Sequence, residues 1–406
     1  MSFSQEELFK TALGLEKPWY IRAIDFRVEK KQLDIHIDFE PGSKFPCPLC
    51  GKSGCQVHDT IERSWRHLNF FQFKTYLHCR VPRTECEKCG VKQVKVPWAR
   101  KSSGFTLLMD SWIVLMAQNM TVKAAADLIG EHDTRIWRVL EHYVQEARSN
   151  EDFSEVDSVG VDETSRAKGH NYISVFVDLD NSKVIHVCEG RDSGAITSFK
   201  DDYEVHKGMA AKVTNFCCDM SPAFISGIGA NFENAAITFD RFHVMKLMNE
   251  AIDQVRREEQ AHNASLKSTR YIWLKNPENL TEKQKKELGS LKDMSLKTSK
   301  AYEIKLSLRE FWDFRDRLLA QSYLKKWYFW ATHSRLPHVI DIAKTFKNHW
   351  SGLMNYVNAR IDNGVLEGIN SLIQAAKNSA RGFRSTKNFI ITIYLRLGKL
   401  HFNLPT

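Results

Sequence analysis

Two CxxC pairs place the strongest constraint on how this chain can fold. They are Cys47-Pro-Leu-Cys50 and Cys86-Glu-Lys-Cys89, and a glycine follows each pair directly. Four thiolates on two such knuckles can enclose one tetrahedral Zn²⁺. The glycines let the chain turn tightly, so that backbone N–H groups can face the sulfurs. We therefore predict a structural Zn²⁺ bound by Cys47, Cys50, Cys86 and Cys89.

The segment between the two pairs favours a zinc ribbon built from β-hairpins. Residues 70–80, FFQFKTYLHCR, are aromatic and rich in strand-forming side chains. The spacer of residues 51–85 is longer than the spacers of short zinc sites. Other residues within it therefore stay open as substitute ligands, namely Cys55, His58, His67, His78 and Cys79.

Residues 105–147 change to helical periodicity and predict a helix-turn-helix. Thr121 suits the N-cap of a short helix, Gly130 lies in the turn, and Asp133 is predicted to cap the next helix. That helix presents Arg135 and Arg138 away from an apolar stripe. We expect these two arginines to contact DNA phosphates or guanine.

Composition and charge restrict the class of protein. The chain has 406 residues, is 43% hydrophobic and carries a net charge of +9, which excludes a disordered, fibrous or membrane-embedded chain. Two basic regions, residues 41–101 and 251–406, flank an acidic middle. Basic surfaces favour a polyanionic partner, and the acids suggest a place for metal cations. Since no run of about 18 apolar residues and no signal segment is visible, we expect a cytoplasmic protein with no membrane partner.

From residue 156 the pattern becomes α/β. Five strands are predicted, at residues 156–161, 172–177, 184–187, 211–216 and 235–239. Helices are predicted at residues 193–203, after Ser221-Pro222 and after Asp240. This order predicts a mixed sheet covered by helices.

Three carboxylates attached to this sheet form a candidate metal site. Asp162 and Asp219 are predicted to lie just past the first and fourth strands, and they meet at one edge if those strands are neighbours. Farther along, a helix predicted to begin near Asn363 carries Glu367 on its polar face. Two aspartates and a glutamate around one cleft suit a pair of Mg²⁺ or Mn²⁺ ions, which can assist phosphodiester chemistry.

These motifs, in this order, resemble the ISL3 family of bacterial insertion-sequence transposases. The matching segments span roughly residues 45–390 and are the two CxxC pairs, Gly160–Glu163, Cys218–Ser221, Phe239–Val244, Asn363–Asn370 and Lys377–Arg384. The resemblance implies a zinc-binding module, a helix-turn-helix and a DDE catalytic domain. It also implies that the α/β catalytic domain has a ribonuclease-H-like fold.

The same resemblance implies roles for the acidic residues. Asp162, Asp219 and Glu367 would be the catalytic triad that holds the Mg²⁺ ions. Asp240 and His243 would form the accompanying acid-x-x-His signature. The position directly after a strand favours Asp219 as the second acid, with Asp240 as the alternative, and a histidine at a helix start can also be purely structural.

Two further regions are basic. Residues 251–350 are helical, and we expect them to form a helical insertion with Trp312, Trp327, Trp330 and Trp350 in its core. Residues 377–400 contain no acids. Within them we expect DNA contacts from Lys377, Arg381 and Arg384.

The sequence therefore predicts a DNA transposase that binds the ends of its own element, cleaves them and joins the 3′-hydroxyl ends to target DNA. We expect it to be nucleoid-associated when bound to double-stranded DNA, and to act as a homo-oligomer because two ends must be paired. The alternatives are a zinc and helix-turn-helix regulator with an inactive catalytic domain, and a nuclease without strand transfer. The predicted domains are an N-terminal segment (1–40), a zinc ribbon (41–101), a helix-turn-helix (102–150), a catalytic domain (151–250 and 351–406) and a helical insertion (251–350).

Overall fold

The computed structural model of the protein describes residues 4–167, 171–359 and 364–405, which fall into two units. One unit is Met1–Arg148 with His401–Thr406, and the other is Ser149–Leu400. The described helices and strands, apart from short 3-10 turns, are α1 Gln5–Ala12, β1 Trp19–Arg27, β2 Gln32–Phe39, β3 Val57–Arg66, β4 Lys74–Cys86, β5 Gly90–Gln93, α2 Leu107–Asn119, α3 Val122–Ile129, α4 Asp133–Ser149, β6 Ser158–Ala167, β7 Asn171–Asp178, β8 Lys183–Glu189, α5 Ser193–Val205, β9 Asn215–Cys218, α6 Pro222–Asn231, β10 Ala236–Phe239, α7 Arg241–Gln260, α8 Arg270–Leu274, α9 Glu282–Lys292, α10 Lys297–Glu310, α11 Arg317–Thr332, α12 Pro337–Asn348, α13 Trp350–Ala359, α14 Gly364–Ser379 and α15 Thr386–Leu397.

In the first unit, strands from both sides of the predicted boundary at residue 40 form one sheet. The strand order is β1-β2-β4-β3, with β5 paired to β4, and β2 runs parallel to β4 while the other pairs are antiparallel. Leu33 and Ile35 of β2 are buried against Leu77 of β4, in a core that also holds Trp65 and Trp98. The N-terminal hairpin is part of the ribbon's sheet because burial of its apolar face requires the strands that follow.

Three helices, α2 to α4, follow this sheet. The Thr121 hydroxyl caps α3, and Gly130 ends that helix in left-handed backbone with φ 72°, as predicted. The start of α4 differs from the prediction by one residue. Asp133 is already helical, and the ring of His132 accepts a hydrogen bond from an amide of the first turn. The apolar stripe of α4 is buried as expected.

The second unit is built on a mixed sheet with the strand order β10-β9-β6-β7-β8. β10, β9 and β6 run parallel to one another, whereas β7 is antiparallel to both of its neighbours, β6 and β8. The predicted first and fourth strands are therefore adjacent. Val159 of β6, Phe176 of β7 and Phe216 of β9 are buried in the core that the helices cover.

Two strand limits differ from the prediction. β6 continues to Ala167 because residues 162–165 keep pairing with β7, so Asp162 lies within the strand and not past its end. β9 begins at Asn215 because Ala210–Lys212 forms a 3-10 turn. Asp219 follows the last residue of β9 directly, as predicted.

Two domain limits also differ from the predicted ones. The helices of residues 251–350 share one apolar core with the sheet and do not form a unit of their own. Residues from His401 group with the first unit, where the Ser111 hydroxyl donates to the Pro405 carbonyl at 2.8 Å.

The tryptophans of the helical segment are mostly core residues. Trp312 and Trp327 are buried and Trp350 is half-buried, as predicted, whereas Trp330 is exposed. The described helices include none that is both long and apolar enough to cross a membrane.

Candidate functional site

The four predicted cysteines converge. The Sγ atoms of Cys47, Cys50, Cys86 and Cys89 all lie within 4.8 Å of one another, and those of Cys50 and Cys86 are 3.6 Å apart. A tetrahedral site with Zn–S bonds of about 2.3 Å needs sulfurs about 3.8 Å apart. The cluster therefore fits one structural Zn²⁺. Across the described ranges it is the only group of three or more ligating side chains gathered this closely.

The backbone of the knuckles creates this cluster. The glycines after the two pairs, Gly51 and Gly90, have positive φ of 74° and 70°, and the Gly51 amide donates to the Cys47 carbonyl at 3.0 Å. The amides of Cys50 and Leu49 lower the pKa of the Cys47 thiol to about 6. Backbone donors thus favour the thiolate form that binds a metal ion.

The substitute ligands have other contacts. Cys79 lies in the sheet core, where burial raises the pKa of its thiol to about 12. The Cys55 thiol donates to the Lys52 carbonyl at 3.4 Å. The three histidines contact Asp59, Thr106 and Asp34, in the pairs His58–Asp59, His67–Thr106 and His78–Asp34.

The predicted aspartates lie along one edge of the second sheet. Asp162 is on β6, and its Oδ1 accepts a hydrogen bond from the Glu163 amide at 2.7 Å. Asp219 follows the adjacent strand β9, and its Oδ1 accepts from the Ser221 amide at 2.9 Å. Pairing of these two strands therefore brings both predicted aspartates to the same end of the sheet.

Asp240 and His243 belong to the same edge. Asp240 is 3% exposed; it caps α7 by accepting from the Phe242 amide at 2.6 Å, and its other oxygen is 3.1 Å from His243 Nδ1. This hydrogen bond to Asp240 raises the pKa of His243, and the negative charges of Asp162 and Asp219 act in the same direction. The imidazolium is therefore stabilised by three carboxylates at once.

The same carboxylates affect one another. Burial raises the pKa of the Asp162 carboxyl, and the charges of Asp240 and Asp219 add to that effect while His243 opposes it. Burial also raises the pKa of Glu163, with a further contribution from Asp219. Mutual repulsion of this kind favours a bound cation.

Helix α14 crosses β6 and is joined to it by hydrogen bonds beside Asp162. Asn370 Nδ2 donates to Asp162 Oδ2 at 2.5 Å, and Gln374 and Lys377 donate to the next residues of β6. Glu367 precedes Asn370 by one turn on the same polar face. The predicted helix start near Asn363 lies outside the described residues.

Gly160 makes this helix packing possible. A Cβ at Gly160 would lie 2.9 Å from the side chain of Leu366 and 2.8 Å from that of Leu179. The absence of a side chain at this position therefore lets α14 lie close to β6. This packing explains physically why glycine precedes Asp162 in the motif.

The oxygen donors at this edge fit hard divalent cations. Asp162 and Asp219 supply carboxylates, and Asn370 Oδ1 is buried without a hydrogen-bond partner. Carboxylate and amide oxygens are the ligands that Mg²⁺ and Mn²⁺ take in proteins. Among the described residues, Asp162, Asp219 and Glu367 are not gathered as closely as the four cysteine sulfurs.

The predicted DNA-binding residues differ in how their charges are used. Arg135 pairs with Glu131, donates to the Gly104 carbonyl at 3.0 Å and lies 4.2 Å from the centre of the Phe105 ring. Arg138 is exposed on the same helix. Two more arginines are exposed between α14 and α15, namely Arg381 and Arg384, whereas the Lys377 ammonium donates to the Ser165 carbonyl.

A basic cleft beside Glu367 has no counterpart in the sequence predictions. It has a volume of about 540 Å³, and its cationic lining is Arg241, Lys246, Lys275, Lys305 and Arg309. Arg241 lies within the motif segment Phe239–Val244, but the other four come from α7, the end of α8 and α10 and belong to no motif. Their only sequence signal is the basic charge of this part of the chain.

Comparisons with known proteins agree with this order of elements. A family model described as a transposase, for the ISL3 DDE domain, matches residues 159–393. A model of the helix-turn-helix domain of transposase family ISL3 matches residues 94–144. A zinc-finger model of the IS204, IS1001, IS1096 and IS1165 transposases matches residues 43–89.

Two curated proteins are similar over most of their length. The transposase for insertion sequence element IS1557 from Mycobacterium tuberculosis is 26% identical over 98% of this chain and 97% of its own length. The transposase for insertion sequence element IS1001 from Bordetella parapertussis is 27% identical, covering 86% of this chain and 87% of its own length. Because the DDE model alone covers more than half of the chain and the other two match in the expected order, the chain belongs to the ISL3 family of insertion-sequence transposases.

Proposed function

We propose that this transposase cleaves the ends of its own element by metal-assisted phosphodiester hydrolysis and joins the 3′-hydroxyl ends to target DNA. One observation carries the proposal. The hydrogen bond from Asn370 to Asp162 joins the helix of Glu367 to the sheet edge where Asp219, Asp240 and His243 interact. The strand order, with β7 antiparallel in an otherwise parallel series, supports a ribonuclease-H-like fold for this domain.

We assign Asp162, Asp219 and Glu367 as the residues that hold the catalytic metal ions. When bound, two Mg²⁺ or Mn²⁺ ions would activate the attacking water or 3′-hydroxyl and stabilise the leaving oxygen. Asp162 and Asp219 share the sheet edge, and Glu367 lies on α14 one turn before Asn370, which contacts Asp162. The bond from Asn370 orients one Asp162 oxygen and leaves the amide oxygen of Asn370 available as a further donor.

The contacts of Asp240 favour Asp219 as the second acid of the triad. Both oxygens of Asp240 are engaged, one by the Phe242 amide and one by His243. Asp219 is half-buried and uses Oδ1 for the Ser221 amide. We therefore propose that Asp240 and His243 position the start of α7 and set the charge of the edge, while Asp219 binds the metal.

DNA binding is assigned to the helix-turn-helix and to basic residues near the catalytic edge. We propose that Arg138 contacts DNA and that Arg381, Arg384 and Lys377 contact the DNA backbone beside the scissile phosphate. The zinc ribbon supports end binding through a structural Zn²⁺. We propose that the protein acts as a homo-oligomer on DNA in the cytoplasm, because two element ends must be held together.

The test is a strand-cleavage assay with duplexes that carry the terminal repeats flanking the gene. Asp162→Asn keeps the size of the side chain and one oxygen that can accept from the Glu163 amide, but it removes the metal-binding charge. We expect retained end binding and loss of Mg²⁺-dependent cleavage, with the same loss in Asp219→Asn. Normal cleavage by Asp162→Asn would refute the assignment.

The competing functions give different products in the same assay. A regulator with an inactive catalytic domain would bind the ends and leave them uncut with either Mg²⁺ or Mn²⁺. A nuclease without strand transfer would release cut ends but never join them to a target duplex. Joined products from the wild-type protein, absent from Asp162→Asn, support the transposase.

A further inference from the structure

The basic cleft beside Glu367 is lined by cations from helices that are far apart in the chain. Arg241 and Lys246 lie on α7, Lys275 follows α8, and Lys305 and Arg309 lie on α10. Glu367 is the acid of the lining, so the cleft opens beside the proposed catalytic edge. Arg309 is ion-paired with Glu278, but Arg241, Lys246 and Lys275 keep the lining cationic. A cationic concavity next to the proposed metal-binding carboxylates suits a phosphate-containing substrate.

Lys305 fixes one wall of this cleft from within. Its side chain is 1% exposed, and its ammonium donates to the carbonyls of Trp273 and Leu274 at 3.1 and 2.8 Å. Burial lowers the pKa of Lys305 to about 8, with a further contribution from the charge of Arg309. Lys305 is therefore a positioning residue that holds the end of α8, from which Lys275 extends into the cleft.

Amide and aromatic side chains complete the lining. Three asparagines face the cleft, and Asn249 Oδ1 is buried without a hydrogen-bond partner. Phe242, which lies between Asp240 and His243 in sequence, is 54% exposed at the same cleft. Amides can bind base edges, and an exposed ring between cations can stack on a base.

The volume of the cleft favours single-stranded DNA over duplex DNA as its ligand. A cavity of about 540 Å³ has the size of sites that enclose small organic ligands, which is the scale of a nucleotide. A duplex is too wide to enter, and its stacked bases could not reach Phe242. The combination of cations, amides and an aromatic ring therefore fits a strand whose bases are unpaired.

We propose that this cleft binds unpaired nucleotides of the DNA strand that adjoins the scissile phosphate. Lys246, Lys275 and Arg241 bind the phosphates, the asparagines contact base edges, and Phe242 stacks on one base. The proposal rests on the proposed function, because it places the strand next to Glu367. It adds a substrate class, single-stranded DNA, for a surface that adjoins Glu367 and includes neither Asp162 nor Asp219.

The experiment measures binding of a fluorescent oligothymidine to the full-length protein in Ca²⁺, which suppresses cleavage. Lys246→Ala/Lys275→Ala should lower the affinity at least tenfold. It should also reduce the slope of log affinity against log salt by about 1.4, since each phosphate contact on a single strand contributes about 0.7. The charge-matched control is Lys286→Ala/Lys326→Ala, which alters two exposed lysines of the same unit outside the cleft. An equal loss in the control would overturn the proposal.

Base stacking is tested separately at Phe242. Phe242→Ala should weaken oligothymidine binding about tenfold, the scale found for single stacking residues, whereas Phe242→Tyr should retain it. Equal affinities for the alanine and tyrosine variants would contradict the stacking role. Unchanged thermal melting of each variant ensures that lost binding does not reflect unfolding.

The two proposals fail in different ways. If the wild-type protein cleaves element ends but the cleft variants bind oligothymidine as tightly as the wild type, the cleft proposal is wrong and the transposase assignment stands. If the cleft variants lose oligothymidine binding but the wild type cleaves nothing with Mg²⁺ or Mn²⁺, the catalytic proposal is wrong and the single-strand site stands.

Discussion

Two groups of side chains are assigned to metal ions. They are the cysteine cluster (Cys47, Cys50, Cys86 and Cys89) and the carboxylate edge, the end of the second sheet that carries Asp162, Asp219 and Asp240. The two groups are built in different ways. The four sulfurs come from two knuckles of one sheet and lie within 4.8 Å of one another. The carboxylates come from separate elements of the second unit, and each is held by its own neighbour. Asp162 is held by Asn370, Asp219 by the Ser221 amide, and Asp240 by His243.

This difference shows where each site is vulnerable. The cysteine cluster depends on local backbone geometry, with glycines at positive φ and amides that face the sulfurs. The carboxylate edge depends on packing between distant parts of the chain, above all the contact of α14 with β6. Local changes should therefore damage the first site, and changes in packing should damage the second.

The largest effect is expected at the cysteine cluster. Cys86→Ser should lower the bound zinc from one ion per chain to none, since the apparent free energy of structural zinc binding is of the order of 10 kcal/mol. The sheet around Leu33 and Trp65 should survive, because the cysteine cluster is separate from that core. Elemental analysis and limited proteolysis check this, with new cuts expected at residues 41–56.

Cys55→Ser is the matched control for that experiment. Cys55 is buried beside the cluster, but its sulfur is outside the group of four and donates to the Lys52 carbonyl. We expect it to retain zinc. Loss of zinc from Cys55→Ser as well would contradict the assignment of the four ligands.

The next effect tests dependence on packing at the carboxylate edge. Gly160→Ala adds a methyl group that meets Leu366 and Leu179, which should lower stability by about 1–3 kcal/mol through overpacking. The shift of α14 should slow strand cleavage about a hundredfold, because small displacements of catalytic groups are costly. Cleavage kinetics and thermal melting are the measurements, and zinc content should not change.

Gly368→Ala is the matched control for Gly160→Ala. It replaces a glycine by alanine at a position where the added methyl group causes no overpacking. Gly368 lies on the same helix next to Glu367, and an added Cβ there meets nothing within 4 Å. Alanine inside a helix stabilises it by about 0.5–1 kcal/mol relative to glycine, so melting should rise slightly and cleavage should persist. If both variants slowed cleavage alike, contact with β6 would not be the cause.

The same contrast explains what the sequence could predict. The knuckles, the helix-turn-helix and the strands at residues 172–177 and 184–187 are set by local spacing and periodicity, and each is found near its predicted position. The continuation of β6 through Asp162 could not be predicted, because pairing with β7 decides it. The pairing of β2, a strand of the N-terminal hairpin, with β4 could not be predicted either, because it also depends on a partner strand distant in sequence.

The site shows the same division. Asp219 was identifiable because it directly follows a strand, and Glu367 because helical periodicity places it opposite buried side chains. The bond between Asn370 and Asp162 joins residues 208 positions apart. The basic cleft likewise unites Arg241, Lys275 and Arg309 from three elements, so only the folded chain reveals it.

A smaller effect separates two arginines of the helix-turn-helix. Arg135→Ala removes contacts with Glu131, the Gly104 carbonyl and the Phe105 ring, and should cost about 1 kcal/mol of stability. Arg138→Ala should leave melting unchanged but weaken binding to end duplexes and reduce the salt slope by about 0.9. Melting curves and salt titrations of both variants decide between them, and the reverse pattern would reassign the DNA contact to Arg135.

The smallest effect is a pH dependence of the metal requirement at the carboxylate edge. Burial raises the pKa of Asp162, and the hydrogen bond to Asp240 raises that of His243. Both groups therefore bind protons more tightly in the folded protein, so their contribution to stability is present at low pH and is lost as pH rises through the raised values. A charged His243 opposes a bound cation, and this charge is lost as pH rises through the raised pKa. The Mg²⁺ concentration for half-maximal cleavage should therefore fall a few-fold as pH rises from about 6 to about 8.

His243→Gln should flatten this dependence, because it removes the group that titrates nearest neutrality while leaving the carboxylates in place. His262→Gln is the control, since His262 is an exposed histidine of the same unit outside the carboxylate edge. Zinc content should be the same in the wild-type protein and in His243→Gln at each pH, because the four cysteines belong to the first unit. An Mg²⁺ requirement independent of pH in the wild-type protein would mean that His243 does not titrate against the bound metal.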